Sequence, residues 1–205
     1  QMRDDGIALA AYLTQRFGQR KVILWGSSWG SILGVHMAKA RPDLFHAYLG
    51  TSQLVNFREN QRVSYARLLA VVGASDDPAS MAVLHGVGEP PWTDPRSFGK
   101  VRRVIRAYEA KVSTPAPEAW WTPAAEYRTP KAQADYEAGE DYSFLNFVGL
   151  KGDGMASRVD LPALGTDFAI PMFFVEGAQD LLATPDVAHR YYESLTAPRK
   201  HLVLL

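Results

Sequence analysis

The sequence predicts an α/β fold built around a mostly parallel sheet. The pattern of strand, tight turn, helix and strand occurs over residues 22–50, and such a βαβ unit joins neighbouring parallel strands. Strand character returns at 172–175 and again at 200–205, with a helical pattern between the two runs. From residue 53 to 169 no strong strand pattern occurs. We therefore expect one sheet with strands from both ends of the chain and a helical insertion between them.

The N-terminal part, residues 1–52, is predicted to form the first half of this sheet. Apolar residues at helical spacing predict a helix over 4–17. The short continuous apolar run at 22–25 is typical of a strand that is covered on both faces. A helix over 32–40 and a strand over 44–50 complete the unit.

The middle segment, residues 53–169, is predicted to be a helical insertion. Its helical patterns are separated by loop signals rich in glycine and proline, and they cover residues 58–72, 79–85, 96–111 and 131–138. The last part, residues 170–205, returns to the sheet. Thr184 followed by Pro185 predicts the start of a helix that leads to the final strand.

The composition excludes several classes of function. The chain of 205 residues has 22 Lys and Arg, 22 Asp and Glu and no net charge, which argues against a nucleic-acid partner. No apolar run approaches the length of a membrane span, so no membrane partner is expected. The absence of cysteine excludes thiol nucleophiles and iron–sulfur clusters. No His, Asp or Glu cluster has ligand spacing, so we expect neither a metal nor a cofactor.

The motif that carries chemistry is Gly26-Ser27-Ser28-Trp29-Gly30, which fits G-x-S-x-G with Ser28 at its centre. A predicted strand precedes it and a predicted helix follows it, which is the context of a nucleophile elbow. A turn this sharp strains the serine backbone, so the residues two positions away are expected to be small. The Ser28 hydroxyl would then project beyond the end of the strand as a nucleophile.

The helix after the elbow points its N-terminus at the site. Backbone N–H groups there favour developing negative charge. The N–H of Trp29 is the predicted oxyanion donor, and one such donor is worth roughly 3–4 kcal/mol of barrier in a protease.

Two other interpretations of these glycines remain. The first is a glycine-rich strand–helix turn with no chemistry. The second is dinucleotide binding, but the even spacing of Gly26, Gly30 and Gly34 does not fit G-x-G-x-x-G, and no acid follows at the required distance.

A serine nucleophile needs a base, and the base needs an acid that orients it. In this kind of fold the order along the chain is serine, acid, histidine. Asp180 follows the strand at 172–175 and is the predicted acid, with a plain turn residue as the alternative. Asp186 lies at a helix start and fits a partner for the helix dipole better. None of the histidines suits the role of base, and they are His36, His46, His85, His189 and His201.

Three features together resemble the proline iminopeptidase group of the α/β-hydrolases. They are the elbow GSSWGS at 26–31, the long helical insertion, and PMFFVEG at 171–177, which leads to Asp180. The resemblance implies an α/β-hydrolase core with an inserted helical cap. On that pattern the first strands and the second oxyanion donor precede Gln1, and the catalytic histidine follows Leu205. The 205-residue chain by itself is then expected to be inactive.

The resemblance also implies a serine aminopeptidase that releases an N-terminal residue such as proline from a small peptide. In that group, cap carboxylates bind the free amino group of the substrate, and Glu109 and Glu140 match them here. A carboxylate is a suitable partner for that amino group, because an ammonium group in an apolar cap needs a paired charge. Alternatively, Glu109 pairs with the basic helix around it and Glu140 belongs to a solvated acidic face. A hydrolase of small esters and a non-catalytic hydrolase-like binding protein are the other candidate functions.

Overall fold

Four parallel strands form one sheet in the computed structural model, which describes residues 1–205. The strands lie in the order in which they occur along the chain, and they are β1 (Val22–Ser27), β2 (Phe45–Thr51), β3 (Met172–Glu176) and β4 (Lys200–Leu204). Every neighbouring pair is parallel. The predicted α/β fold with a parallel sheet from both ends of the chain is confirmed.

Seven α-helices accompany the sheet. They are α1 (Met2–Arg16), α2 (Trp29–Ala40), α3 (Phe57–Gly73), α4 (Pro78–Val87), α5 (Pro95–Val112), α6 (Pro130–Val148) and α7 (Pro185–Ser194). Among them, none combines the length and the apolar character that crossing a bilayer requires.

Helix α6 is longer than the predicted 131–138. The Thr129 side chain accepts the Ala132 N–H at its start, and Gly149, at φ 82°, ends it. Most of its side chains are exposed, so the apolar spacing from which helices are predicted is weak along it. The acidic residues near Glu140 therefore lie on a regular helix.

The chain forms two compact units. The first consists of Gln1–Arg67 together with Val159–Leu205, and the second of Leu68–Arg158. Residues 53–67 and 159–169, on either side of the second unit, thus belong to the first. The Leu161 N–H donates to the Val55 carbonyl at 2.9 Å within that unit. The predicted division into core, cap at 53–169 and core stays a prediction.

The core of the first unit lies on the two central strands. Phe45, Tyr48, Met172 and Phe174 are completely buried, and the Tyr48 and Phe174 rings meet edge to face with centroids 6.1 Å apart. Burying each side chain of this size contributes roughly 1.5–3 kcal/mol. The sheet therefore depends most on β2 and β3.

Residues 1–205 cover only one face of strand β1, and the prediction of two covered faces stays a prediction. Val22 and Leu24 pack against the core, whereas Ile23 and Trp25 on the opposite face are 69% and 68% exposed. Side chains alternate between the two faces of a strand, so one uncovered face exposes every second residue. A continuous apolar run therefore did not show which of its residues pack within this chain.

The second unit contains a polar contact at the start of α4. The Asp77 side chain accepts the Ser80 N–H as an N-cap, and the buried Tyr108 hydroxyl from α5 lies 3.0 Å from Asp77 Oδ2. Lys111 Nζ sits over the Tyr108 ring, 3.7 Å from its centroid. Within the same unit, the rings of Phe98 on α5 and Phe144 on α6 pack with centroids 6.0 Å apart.

Helix α2 packs tightly against β2 at Gly34. A Cβ atom at this position would lie 2.5 Å from Tyr48 Cε2, and Tyr48 is fully buried with no room to move. We expect Gly34→Ala to lower the free energy of unfolding by about 1–3 kcal/mol through overpacking. Chemical denaturation would measure this loss.

The matched control lies in the same helix. A Cβ at Gly30 would meet nothing within 4 Å, so Gly30→Ala should leave the free energy of unfolding unchanged or raise it by up to about 1 kcal/mol. Equal effects of the two substitutions would contradict this account of α2 packing.

Candidate active site

Ser28 occupies a left-handed backbone conformation at the junction of β1 and α2. Its φ is 51° and its ψ is −118°, and a residue other than glycine in such a region costs on the order of 1–3 kcal/mol. The Ser28 N–H donates to the Thr51 carbonyl at the end of β2, at 3.0 Å. The side chain is exposed. The predicted strand–turn–helix context of this serine is therefore present.

The two glycines of the motif are not equivalent. A Cβ at Gly26 would lie 2.5 Å from the Gly30 carbonyl oxygen and 2.9 Å from Ser31 Cα, so the turn closes only with glycine at that position. At Gly30 a Cβ would meet nothing. The expectation that both neighbours must be small is correct for Gly26 and wrong for Gly30. The backbone thus comes into close contact with itself at Gly26 but not at Gly30.

Trp29 is the first residue of α2. An amide in the first turn of a helix has no acceptor within the helix, so the Trp29 N–H can donate to a bound anion. Ser31 fixes the start of α2, because it donates both its N–H and its hydroxyl to the Ser28 carbonyl, at 2.9 and 2.5 Å. The role of Trp29 as oxyanion donor stays a prediction.

Asp180 lies on the loop between β3 and α7, residues 177–184, which we call the acid loop. Its Oδ1 accepts the N–H groups of Leu182 and Ala183 at 2.8 and 2.7 Å. These two bonds fix the carboxylate on its own loop and leave Oδ2 free of hydrogen bonds from the chain. Such a carboxylate can orient an imidazole through its second oxygen.

The sheet brings Ser28 and Asp180 to the same edge. Both follow the carboxyl ends of parallel strands, β1 and β3, with β2 between them, and Ser27, Thr51 and Val175 lie in register across the three strands. Two strand spacings amount to about 10 Å. A gap of that size accommodates one further side chain between the hydroxyl and the carboxylate.

A buried polar network connects these two loops. The Ser31 hydroxyl accepts the Leu54 N–H at 3.0 Å, and the Gln53 N–H donates to both carboxylate oxygens of Glu176, at 3.2 and 3.1 Å. The Tyr48 hydroxyl lies 2.7 Å from Gln53 Oε1 and 3.0 Å from the Ser31 carbonyl oxygen. The chain therefore joins the turn at Ser28 to the end of β3 through side chains without contact with solvent.

Glu176, which sequence reasoning missed, is the charged member of this network. Its side chain is 1% exposed, and burial raises the pKa of its carboxyl to about 7. The negative charge of Asp180 raises this pKa further, while the Gln53 N–H opposes both effects. Its place directly after the apolar run at 172–175 was the signal in the sequence that could have indicated a buried carboxyl.

No histidine of residues 1–205 completes the pair. None of the five hydrogen-bonds to Ser28 or Asp180. His189 lies exposed on α7 with its Nε2 3.8 Å from Glu193 Oε1. The role of Ser28 as a nucleophile stays a prediction.

The two predicted substrate-binding glutamates lie on α5 and α6 of the second unit. Glu109 is half-buried and Glu140 is exposed. Both interact with the half-buried Arg102: burial and the nearby Arg106 lower the pKa of Arg102, whereas the two carboxylates raise it. Their role with a substrate stays a prediction.

The chain is similar to several known proteins. A protein of Bacillus subtilis (strain 168) described as "Probable aminopeptidase YbaC" is 24% identical over 208 residues, which cover 96% of this chain and 61% of that protein. The crystal structure of a proline iminopeptidase from Mycobacterium smegmatis superposes with a TM-score of 0.63 at 16% identity, over 97% of this chain and 62% of the other. The crystal structure of VinJ gives 0.61 at 18% identity, over 95% and 61%. No protein-family model matches.

The chain has an α/β-hydrolase fold. The resemblance to proline iminopeptidases is confirmed in these structural neighbours. The chain spans a little over three fifths of the length of these relatives. Within the α/β-hydrolase fold, the carboxyl ends of the strands are the usual place for a site, and Ser28 and Asp180 both lie there.

Glu176 makes the stability of this α/β-hydrolase core depend on pH. Its pKa rises from 4.5 to about 7 on folding, so the folded state binds the proton more tightly. The contribution of Glu176 to the free energy of unfolding is therefore fully present below about pH 4.5. It is lost as the pH rises through the folded-state pKa of about 7. We expect the free energy of unfolding to fall by on the order of 3 kcal/mol between about pH 5 and about pH 8.

Chemical denaturation across this range measures the effect in wild type and in Glu176→Gln. The amide does not ionise, so the variant should lose this part of the pH dependence. Glu193→Gln, on an exposed glutamate of α7, is the control and should retain it. The assignment is wrong if Glu176→Gln and wild type show the same pH dependence.

Proposed function

We propose that the complete protein is a serine hydrolase that acts through an acyl-enzyme, and that it is an aminopeptidase releasing an N-terminal residue such as proline. The single observation that supports the hydrolase most directly is Ser28: an exposed serine with φ 51° between a parallel strand and a helix N-terminus. Residues other than glycine are uncommon in this conformation, and those that adopt it cluster at active sites.

In the proposed reaction the Ser28 hydroxyl attacks the carbonyl carbon of the scissile bond. Its proton passes to a histidine, and the carbonyl oxygen, now negative, accepts a hydrogen bond from the Trp29 N–H. The same histidine returns the proton to the leaving group, and water hydrolyses the acyl-enzyme. Asp180 orients the histidine through Oδ2 and stabilises its charged form.

Two further observations support an aminopeptidase. The curated relative is described as a probable aminopeptidase, and one structural neighbour is a proline iminopeptidase. In the second unit, the two carboxylates Glu109 and Glu140 both interact with the half-buried Arg102, beside which Arg106 also lies. A substrate ammonium group would be a further cationic partner for these two carboxylates.

The nucleophile is testable by covalent labelling. We expect a fluorophosphonate to form its adduct on Ser28 in the complete protein, because only this serine of the motif occupies the strained turn. Mass spectrometry of the digested adduct locates the label. Ser27→Ala is the control and should label normally, whereas Ser28→Ala should not label. An adduct on Ser27 or Ser31 would contradict the elbow assignment.

The aminopeptidase is testable by blocking the substrate amine. We expect kcat/KM for prolyl-β-naphthylamide to exceed that for its N-acetyl form by at least about tenfold, because acetylation removes the charge that the carboxylates would pair with. Glu109→Gln and Glu140→Gln should reduce this ratio. Both variants should leave hydrolysis of a small ester nearly unchanged, since Ser28 and Asp180 are untouched.

Glu137→Gln is the matched control for the two glutamates. Glu137 lies on the same acidic stretch of α6, and its Oε1 accepts a hydrogen bond from Gln133 at 2.7 Å. This substitution should leave the ratio unchanged. Equal rates on the free and the acetylated substrate in the complete wild-type enzyme would reject the aminopeptidase and favour a hydrolase of small esters.

A further inference from the structure

Helix α3 presents a row of polar side chains to the acid loop. Asn60, Ser64 and Arg67 follow one another at spacings of four and three residues, so they share one face of the helix. Asn60 and Ser64 are 5% and 4% exposed. Buried polar groups in such a position require partners, and all three find them on the backbone of residues 177–184.

The bonds from this row reach the backbone on both sides of Asp180. Asn60 Nδ2 donates to the Leu182 carbonyl at 2.7 Å, and the Ser64 hydroxyl donates to the Leu181 carbonyl at 2.5 Å. Arg67 donates to the Ala178 carbonyl at 2.8 Å. The loop is therefore fixed to α3 at three of its carbonyl groups.

Two of these carbonyls belong to the peptide units that bind Asp180. The unit between Leu181 and Leu182 accepts from Ser64 at its oxygen and donates to Asp180 Oδ1 at its nitrogen. The unit between Leu182 and Ala183 accepts from Asn60 and donates to the same Oδ1. Each peptide plane thus has one end on α3 and the other on the carboxylate.

We propose that Ser64 and Asn60 are positioning residues for Asp180, which act through these two peptide planes. A peptide plane is rigid, so fixing its carbonyl oxygen also fixes the direction of its N–H. A hydrogen bond to the carbonyl also polarises the plane and strengthens the bond that its N–H donates. The role of Asp180 in catalysis rests on the function proposed above, whereas its attachment to α3 does not.

Asn60 fixes the end of the loop as well. Its Oδ1 accepts both the N–H and the hydroxyl of Thr184, at 3.0 and 3.1 Å, where α7 begins. Arg67 fixes the start of the loop and pairs with Asp186 on α7. Ser64 contacts the acid loop at one point, because its hydroxyl donates to the Leu181 carbonyl. Ser64→Ala therefore removes the hydrogen bond that fixes the peptide plane between Leu181 and Leu182, and little else.

The first experiment measures amide hydrogen exchange residue by residue in the complete protein. We expect Ser64→Ala to accelerate exchange of the Leu182 amide about tenfold, with a smaller change at Ala183, because only the first plane loses its anchor. Asn60→Ala should do the reverse: the Ala183 and Thr184 amides should exchange about tenfold faster and Leu182 less so. Ser194→Ala is the control, because it removes a similar bond to the Tyr191 carbonyl on α7.

The second experiment measures ester hydrolysis by the same variants. We expect Ser64→Ala to lower kcat about tenfold with KM changed by less than about twofold, because the loss concerns Asp180 and not substrate binding. Ser64→Thr keeps a hydroxyl on the same Cβ and should restore kcat. Ser194→Ala should match wild type.

Each result decides one part of the inference. Uniform acceleration of Leu182, Ala183 and Thr184 in both variants would overturn the two-plane arrangement. Selective exchange with unchanged kcat in an active enzyme would overturn the positioning role. If the complete protein hydrolyses no ester or peptide, the proposed function fails, while the exchange pattern still supports or overturns the attachment of Asp180 to α3.

Discussion

The left-handed backbone at Ser28 is the constraint on which the candidate site depends. That conformation is unfavourable by itself, so its surroundings have to fix it. Gly26 lets the chain pass within contact of the Gly30 carbonyl, the Thr51 carbonyl accepts the Ser28 N–H, and Ser31 binds the Ser28 carbonyl from the first turn of α2. The turn thus uses the strand before it, the helix after it and the neighbouring strand at once.

The same constraint extends to the acid side through buried polar groups. Ser31 binds the Leu54 N–H, and the adjacent Gln53 N–H binds Glu176 at the end of β3. An unpaired polar group in this position would cost about 1–3 kcal/mol, so the network favours one arrangement of the three strands. Beyond this network, α3 donates hydrogen bonds to three carbonyls of the acid loop. The position of Asp180 therefore depends on α3 as well as on its own loop.

The two units contribute different chemistry. The first unit carries the groups of the proposed reaction, a strained serine and a fixed carboxylate at one sheet edge. The second unit carries an exposed acidic helix, α6, and the charge cluster around Arg102. Charge on a helical surface of this kind selects among ligands without altering the reacting groups. The proposed separation between reaction and selection follows from this division.

The sequence by itself determined the parallel sheet, the strand–turn–helix around Ser28 and the place of Asp180 after a strand. These follow from local patterns: an apolar run, a glycine at the turn, and an acid just beyond a strand end. Only the tertiary structure decided that Gly30 has space for a Cβ and that Glu176 is buried and accepts the Gln53 N–H. Burial, steric space and hydrogen-bond partners depend on segments that are far apart along the chain, and no local pattern records which of those segments meet.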